Sequence, residues 1–188
     1  MPEIIQLLDE RALVWIAENA RNAVLDPFMK VYTQLGNTGM LFIVLGILML
    51  FFKPTRRAGF SALCAMLIGL IVVNFTIKPL VSRPRPWLVI ENFLNLVEER
   101  DPNSFPSGHT NAAFAFALAV CVSAPRRWMK VTAVCMAAVM GLSRLYVGVH
   151  FPSDVLMGAV IGSLCGLAGA WVVKKAWERI QARPQARE

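Results

Sequence analysis

Charge is scarce in this chain. Only 16% of its 188 residues are Asp, Glu, Lys or Arg, while 56% are hydrophobic, and mean hydropathy is +0.54. Soluble domains average about 25% charged residues, so the composition leans towards lipid and excludes intrinsic disorder. Cysteine is also sparse. Cys64, Cys121, Cys135 and Cys165 all fall inside apolar runs and share no metal-ligand spacing, which excludes a disulfide-stapled scaffold. Internal repeats and low-complexity tracts are absent, and repeated halves often mark secondary transporters. Histidine occurs twice, at His109 and His150. The length suits one domain.

What is present is a series of uncharged stretches. A membrane span needs about 20 mostly apolar residues. Five stretches qualify: Leu35–Phe52, Ala58–Ile77, Pro106–Ala124 (apolar from Thr110), Val131–Val149 and Val155–Val173. Lys53-Pro54 closes the first, Lys78-Pro79 the second, and Lys174 and Lys175 the fifth. Residues 1–30 carry Glu3, Asp9, Glu10, Arg11 and Glu18 among Ile4, Ile5, Leu8, Trp15 and Ile16. They are too charged to span and lack the pattern of a signal peptide. An amphipathic helix in the membrane interface is expected there, with a soluble cap on the bundle as the alternative. The expected fold is thus all-α: a polytopic bundle of five transmembrane helices plus an N-terminal interfacial helix. It forms a single domain over 1–188, with a transmembrane core at 35–173 and a tail at 174–188.

Five spans divide the loops between two faces. One face receives Lys53–Arg57, Pro125–Lys130 and the tail, with eleven basic residues against Glu178 and Glu188. Basic residues in short flanking loops mark the cytoplasmic side. The N-terminus and the long polar connection Val81–Phe105, with Glu91, Glu98, Glu99 and Asp101, are then expected outside the cytoplasm.

Three polar clusters fall on that second face: Lys78–Pro86, Pro106–His109 and Ser143–Asp154. Lys78, Arg85 and Arg144 are cations at membrane depth, where ionisable groups default to a functional hypothesis. Asp154 is the one carboxylate within the clusters, so an anionic ligand is expected to supply the missing charge. Arg pairs with phosphate through two bonds. Ser107-Gly108 opens a helix whose free N–H groups suit an anion. Two histidines beside phosphate-seeking cations suit phosphoester cleavage, one attacking phosphorus and the other protonating the leaving oxygen. Asp154, four residues after His150, is placed to fix an imidazole tautomer. Ser143 reads equally well as a helix-packing residue. Arg83 is expected to meet headgroups or solvent, and Trp87 and Tyr146 to anchor at the interface.

Lys78 with Arg85-Pro86, then Pro106-Ser107-Gly108-His109, then Ser143-Arg144 with His150 and Asp154, resembles the type 2 phosphatidic acid phosphatase superfamily. Its signature is K-x6-R-P, P-S-G-H and S-R-x5-H-x3-D. The resemblance implies a membrane lipid phosphatase. His150 would be the nucleophile, His109 the general acid and Asp154 the residue orienting His150. Lys78, Arg85, Ser107, Gly108 and Arg144 would hold the phosphoryl group. No metal or other cofactor is implied, and no nucleic-acid partner. The expected substrate is undecaprenyl diphosphate, with phosphatidic acid, phosphatidylglycerophosphate and lipid A phosphates as alternatives. The loop Trp87–Phe105 is expected to line or cover the headgroup entrance. Three rival readings are a hydrolase holding a metal on His109, His150 and Asp154, a lipid flippase or anion transporter, and a structural membrane protein. Chelator resistance separates the first, and phosphate release by the purified protein the others.

Overall fold

The structure is a computed structural model that describes residues 2–182. Each expected apolar run is helical, and no β-strand forms among the described residues. The helices are α1 (Glu3–Asn19), α2 (Leu25–Leu35), α3 (Met40–Leu50), α4 (Arg56–Gly69), α5 (Lys78–Val81), α6 (Pro86–Val89), α7 (Gly108–Ser123), α8 (Arg127–Tyr146) and α9 (Pro152–Gln181). A π-helical stretch, Leu70–Ile77, joins α4 to α5 into one rod, Arg56–Val81. Pro79 offers no N–H to the turn before it and crowds the carbonyl four residues back, a common cause of irregular helix.

Among the described residues three rods are long and apolar enough to cross a membrane: Arg56–Val81, α8 and α9. The first expected span differs in form. It is a bent pair, α2 with Asn37–Leu50, angled by 55°. Helix therefore lies on both sides of residue 35, where the first apolar run begins. The third expected span begins at Gly108 rather than Pro106 and has 16 residues. At 1.5 Å per residue that is about 24 Å, short of the ~30 Å hydrocarbon layer. Helix α9 runs on through the expected tail as far as Gln181, and residues 183–188 lie outside the described residues.

Helix α7 is the centre of the bundle, packed on α9, α4 and α8. Its inner face is mostly alanine: Ala113, Ala115, Ala117 and Ala119 are buried. α9 answers with glycine. A Cβ at Gly162 would sit 2.4 Å from the Asn111 carbonyl oxygen, so only hydrogen fits at that crossing. Small residues let membrane helices approach closely where lipid gives no hydrophobic drive. Large side chains turn outward instead: Leu67, Leu142, Leu156, Leu164 and Trp171 are exposed, as suits contact with lipid chains. Just past the end of α3 at Leu50, Thr55 Oγ1 donates to the Met49 carbonyl and Arg56 Nε to that of Leu50, which satisfies carbonyls left over at the helix end.

Helix α1 packs against α8 and α9. Leu13 and Asp9 are its buried residues. The long connection folds back on itself: Pro84 bridges Asn103, and the Ser104 N–H donates to the Arg83 carbonyl at 2.7 Å. That return places Glu99 and Asp101 over the end of the bundle where the three polar clusters meet.

Candidate active site

Lys78, Arg85, Gly108, His109 and His150 share the wall of one cleft of 630 Å³ with Glu99 and Asp101. Four elements deliver them: the end of the Arg56–Val81 rod, the stretch before α6, the start of α7 and the turn between α8 and α9. An apolar arm of the same cleft, with Ile43, Leu63, Leu67 and Leu70, runs between α3 and α4.

His150 is fully buried. Its Nε2 lies 3.1 Å from Arg85 Nη1. A guanidinium only donates, so Nε2 accepts and its lone pair faces the cations. The ring proton then belongs on Nδ1, which looks towards Ser104 Oγ at 3.4 Å and Asp154 Oδ2 at 3.6 Å. Burial, together with the charges of Arg85, Arg144 and Lys78, pushes the His150 imidazole well below its usual 6.5. A neutral ring with its lone pair on Nε2 is the nucleophilic form.

Asp154 sits in the first turn of α9, where a carboxylate meets free N–H groups. Its Oδ2 accepts from the Phe151 N–H at 2.9 Å and from Ser104 Oγ, and its Oδ1 from Arg83 Nη1 at 2.6 Å. Arg83 corrects the expectation drawn for it. It is buried rather than solvated, lies 4.0 Å over the Phe151 ring, and reaches Asp9 Oδ2 at 2.8 Å through Nη2. Tyr146 is likewise no interface anchor. It is buried, donates to Asp26 Oδ1 at 2.6 Å and accepts from the Asn22 N–H. Ser143 Oγ donates to the Met140 carbonyl inside α8, in line with its packing role.

The expected lack of protein counter-charge is also corrected. Asp101 Oδ2 lies 2.5 Å from Lys78 Nζ, and Glu99 Oε2 lies 2.7 Å from Arg144 Nη2 and 3.8 Å from Arg85 Nη2. Burial alone would raise the Asp101 carboxyl. Hydrogen bonds from Lys78 and the Asn103 N–H, with the charges of Lys78 and Arg85, outweigh that and hold it below the usual range. Arg144 spends its other terminal nitrogen on Thr33 Oγ1 of α2 at 2.7 Å, and its Nε has no partner among the described residues.

Ser107 is the N-cap of α7. Its Oγ accepts from the Thr110 N–H and hydroxyl, and it is buried behind Gly108 rather than on the cleft wall. Gly108 itself faces the cleft beside Asn74 of the π-helical stretch. His109 Nε2 is 3.0 Å from Asn37 Oδ1. Among the described residues no three His, Cys, Asp or Glu side chains group closely enough to hold a metal ion.

Residues 58–178 match the PAP2 superfamily. The chain belongs to this family of phosphatases. It is 32% identical over 145 residues to an undecaprenyl-diphosphatase of Sulfolobus acidocaldarius, covering 75% of this chain and 67% of that protein. It is 24% identical to a lipid A 4'-phosphatase of Bacteroides thetaiotaomicron over 97% of this chain and 84% of that protein. Among solved structures, Aquifex aeolicus LpxE superimposes with a TM-score of 0.75 at 30% identity, covering 86% of this chain and 94% of that one. A transmembrane PAP2-type phosphatidylglycerolphosphate phosphatase from Bacillus subtilis gives 0.71 at 27% identity, covering 98% and 90%. The all-helical membrane bundle expected from the sequence is the architecture of this family.

Proposed function

We propose that this PAP2 protein is a metal-independent lipid phosphatase working through a phosphohistidine on His150, with undecaprenyl diphosphate as its preferred substrate. The observation that carries the reading is the His150 Nε2 lone pair, aimed at Arg85 inside the cleft that also holds Lys78 and His109. The lipid's terminal phosphoryl group seats among Lys78, Arg85 and Arg144 and on the Gly108 N–H, with Ser107 fixing the start of α7. Charge developing on its oxygens is stabilised there by groups already in place. His150 Nε2 attacks phosphorus as the bond to the leaving oxygen breaks, and His109 gives that oxygen its proton. Asp154, which is held by Arg83, Ser104 and the Phe151 N–H, stabilises the Nδ1–H of the cationic ring. Water then attacks phosphorus, losing a proton to His109 as the phosphorus–nitrogen bond breaks and its electron pair returns to His150 Nε2. Inorganic phosphate leaves and His150 is restored.

The apolar arm along Ile43, Leu63, Leu67 and Leu70 suits a lipid chain entering from the bilayer, which a water-soluble phosphomonoester would not need. Several relatives are named for undecaprenyl diphosphate and others for lipid A or phosphatidylglycerophosphate. The basic loops on the opposite end support an extracytoplasmic catalytic face in the cell membrane. The test is phosphate release by purified protein from a panel of lipid mono- and diphosphates with chelator present. Undecaprenyl diphosphate should be turned over fastest, and His150→Ala should abolish release while lipid phosphate still binds. Unchanged turnover in that variant would remove the nucleophile.

A further inference from the structure

The first membrane-crossing segment breaks beside His109, and the break is an odd one. A run of apolar helix is interrupted at Gly36–Gly39, where Thr38 has φ +54° and Gly39 φ +75°. The left-handed region is unfavourable for a β-branched residue, and such outliers gather at functional sites. The break touches one catalytic side chain. A Cβ at Gly36 would lie 3.0 Å from His109 Cδ2 and 2.6 Å from Met140 Cε, so that edge of the ring sits where Gly36 leaves room. Asn37 Oδ1 then meets His109 Nε2 at 3.0 Å. Among the described residues nothing bonds His109 Nδ1.

We propose that Asn37 is a positioning residue for His109. Its carboxamide oxygen accepts the Nε2–H, fixing the tautomer so that Nδ1 is the nitrogen that trades protons with substrate. This rests on the acid–base role given to His109 above. In the first step the Nδ1–H bond breaks, its proton goes to the leaving oxygen, and that oxygen keeps the electron pair of the broken phosphorus–oxygen bond. The ring, a cation with a proton on each nitrogen before this step, is left neutral with its proton on Nε2, held by Asn37. The Nδ1 lone pair then takes the proton of the attacking water. The arrangement copies what a carboxylate does for the base in a triad, with an uncharged partner. A neutral acceptor suits a ring this close to a phosphate seat, since a carboxylate there would repel the substrate.

A group that steers a general acid matters most when the leaving oxygen is a poor one. The experiment uses the whole protein in detergent and two substrates with one shared alkyl tail, an alkyl phosphate and a nitrophenyl phosphate. The ratio of the two kcat values is independent of how much protein is folded. Asn37→Ala should slow the alkyl phosphate about tenfold more than the nitrophenyl phosphate, part of the 10²–10⁴ that general acid catalysis supplies. Asn37→Asp, which keeps the acceptor, should hold the wild-type ratio while KM rises from the added charge. His109→Gln should skew the ratio further in the same direction. Equal losses on both substrates in Asn37→Ala would overturn the proposal, as would an Asn37→Asp ratio as skewed as that of Asn37→Ala, because the amide would then be donating. If His109→Gln leaves the ratio unskewed, the acid role of His109 falls and this inference falls with it. A skewed His109→Gln beside an unskewed Asn37→Ala sinks this inference alone.

Discussion

Arg83 holds Asp154 by a 2.6 Å bond from Nη1 to Oδ1, with both side chains buried. The same guanidinium grips Asp9 of α1 through Nη2, and Asp9 in turn accepts from the Ser153 N–H at 2.9 Å and from the Ser153 hydroxyl. The carboxylate beside His150 is thus tied to the N-terminal helix. Removing one partner of a buried ion pair costs about 3–5 kcal/mol, because the other is left buried and uncompensated. Arg83→Leu strands two carboxylates. It should lower the thermal unfolding temperature in detergent and cut kcat, since Asp154 loses the partner on Oδ1. Asp9→Asn should cost less of both, because Arg83 keeps Asp154. Wild-type unfolding and kcat in Arg83→Leu would show that the network is idle.

Glu99 and Asp101 stand on Arg144 and Lys78, two of the cations proposed to hold the phosphoryl group. A substrate anion must displace them or share their partners, so part of the binding energy is spent on opening the site. Glu99→Gln and Asp101→Asn each remove a competing charge while keeping shape. Each should lower KM for a lipid phosphate and tighten inhibition by inorganic phosphate, about two- to tenfold at the ~1 kcal/mol scale of a partly exposed pair. The stabilising effect of these ion pairs on the loop should fall at the same time, visible as faster hydrogen exchange over residues 91–103. A rise in KM would mean that the carboxylates assist binding rather than oppose it.

Much of the site was legible because its residues lie at fixed spacings along single segments. Lys78 to Arg85, Pro106 to His109 and Arg144 through His150 to Asp154 can be read without knowing how helices pack. What escaped comes from elsewhere in the chain. Ser104 reaches Asp154 across 50 residues, Arg83 reaches Asp9 across 74, and Thr33 reaches Arg144 across 111. Such pairs are set by which helix faces meet, and one sequence holds no periodic trace of that. The loop carboxylates were visible as charge, but their return over the cations depends on the bridge between Pro84 and Asn103. The bend in the first span did leave a signal. Gly36-Asn37-Thr38-Gly39 is a turn-like cluster inside an apolar run, and hydropathy alone reads across it.

The depressed His150 imidazole makes a statement about stability as well as reactivity. Its folded form resists protonation, chiefly through burial and then through Arg85, Arg144 and Lys78, whereas in the unfolded chain it takes a proton near 6.5. Between those values the unfolded state binds more protons, so stability rises with pH there. The contribution is complete above the unfolded value and is lost as pH falls towards the folded one. Thermal unfolding scans from pH 8 to pH 5 should show wild type losing stability more steeply than His150→Gln, which cannot titrate. Parallel pH profiles for the two proteins would mean that His150 protonates as easily folded as unfolded.

Helices α7 and α9 carry His109 and Asp154, and their separation is set by hydrogen atoms. At Gly162 an added methyl would stand 2.4 Å from the Asn111 carbonyl oxygen, and at Gly166 it would stand 2.6 Å from Leu118 Cβ and 2.9 Å from the Ala115 carbonyl oxygen. Backbone cannot step aside as a flexible side chain can, so the helices must part. Overpacking of this kind costs about 1–3 kcal/mol. Gly162→Ala should therefore lower stability in detergent. It should also reduce kcat, because parting α7 from α9 shifts His109 relative to Asp154, and on the roles proposed for them small misplacements at a reacting centre are expensive. Leu164→Ala is the control on the same helix. Its side chain is 61% exposed on the outer face, so the change should leave kcat intact. Equal behaviour of the two variants would show that the close crossing of α7 and α9 does not set the geometry of the site.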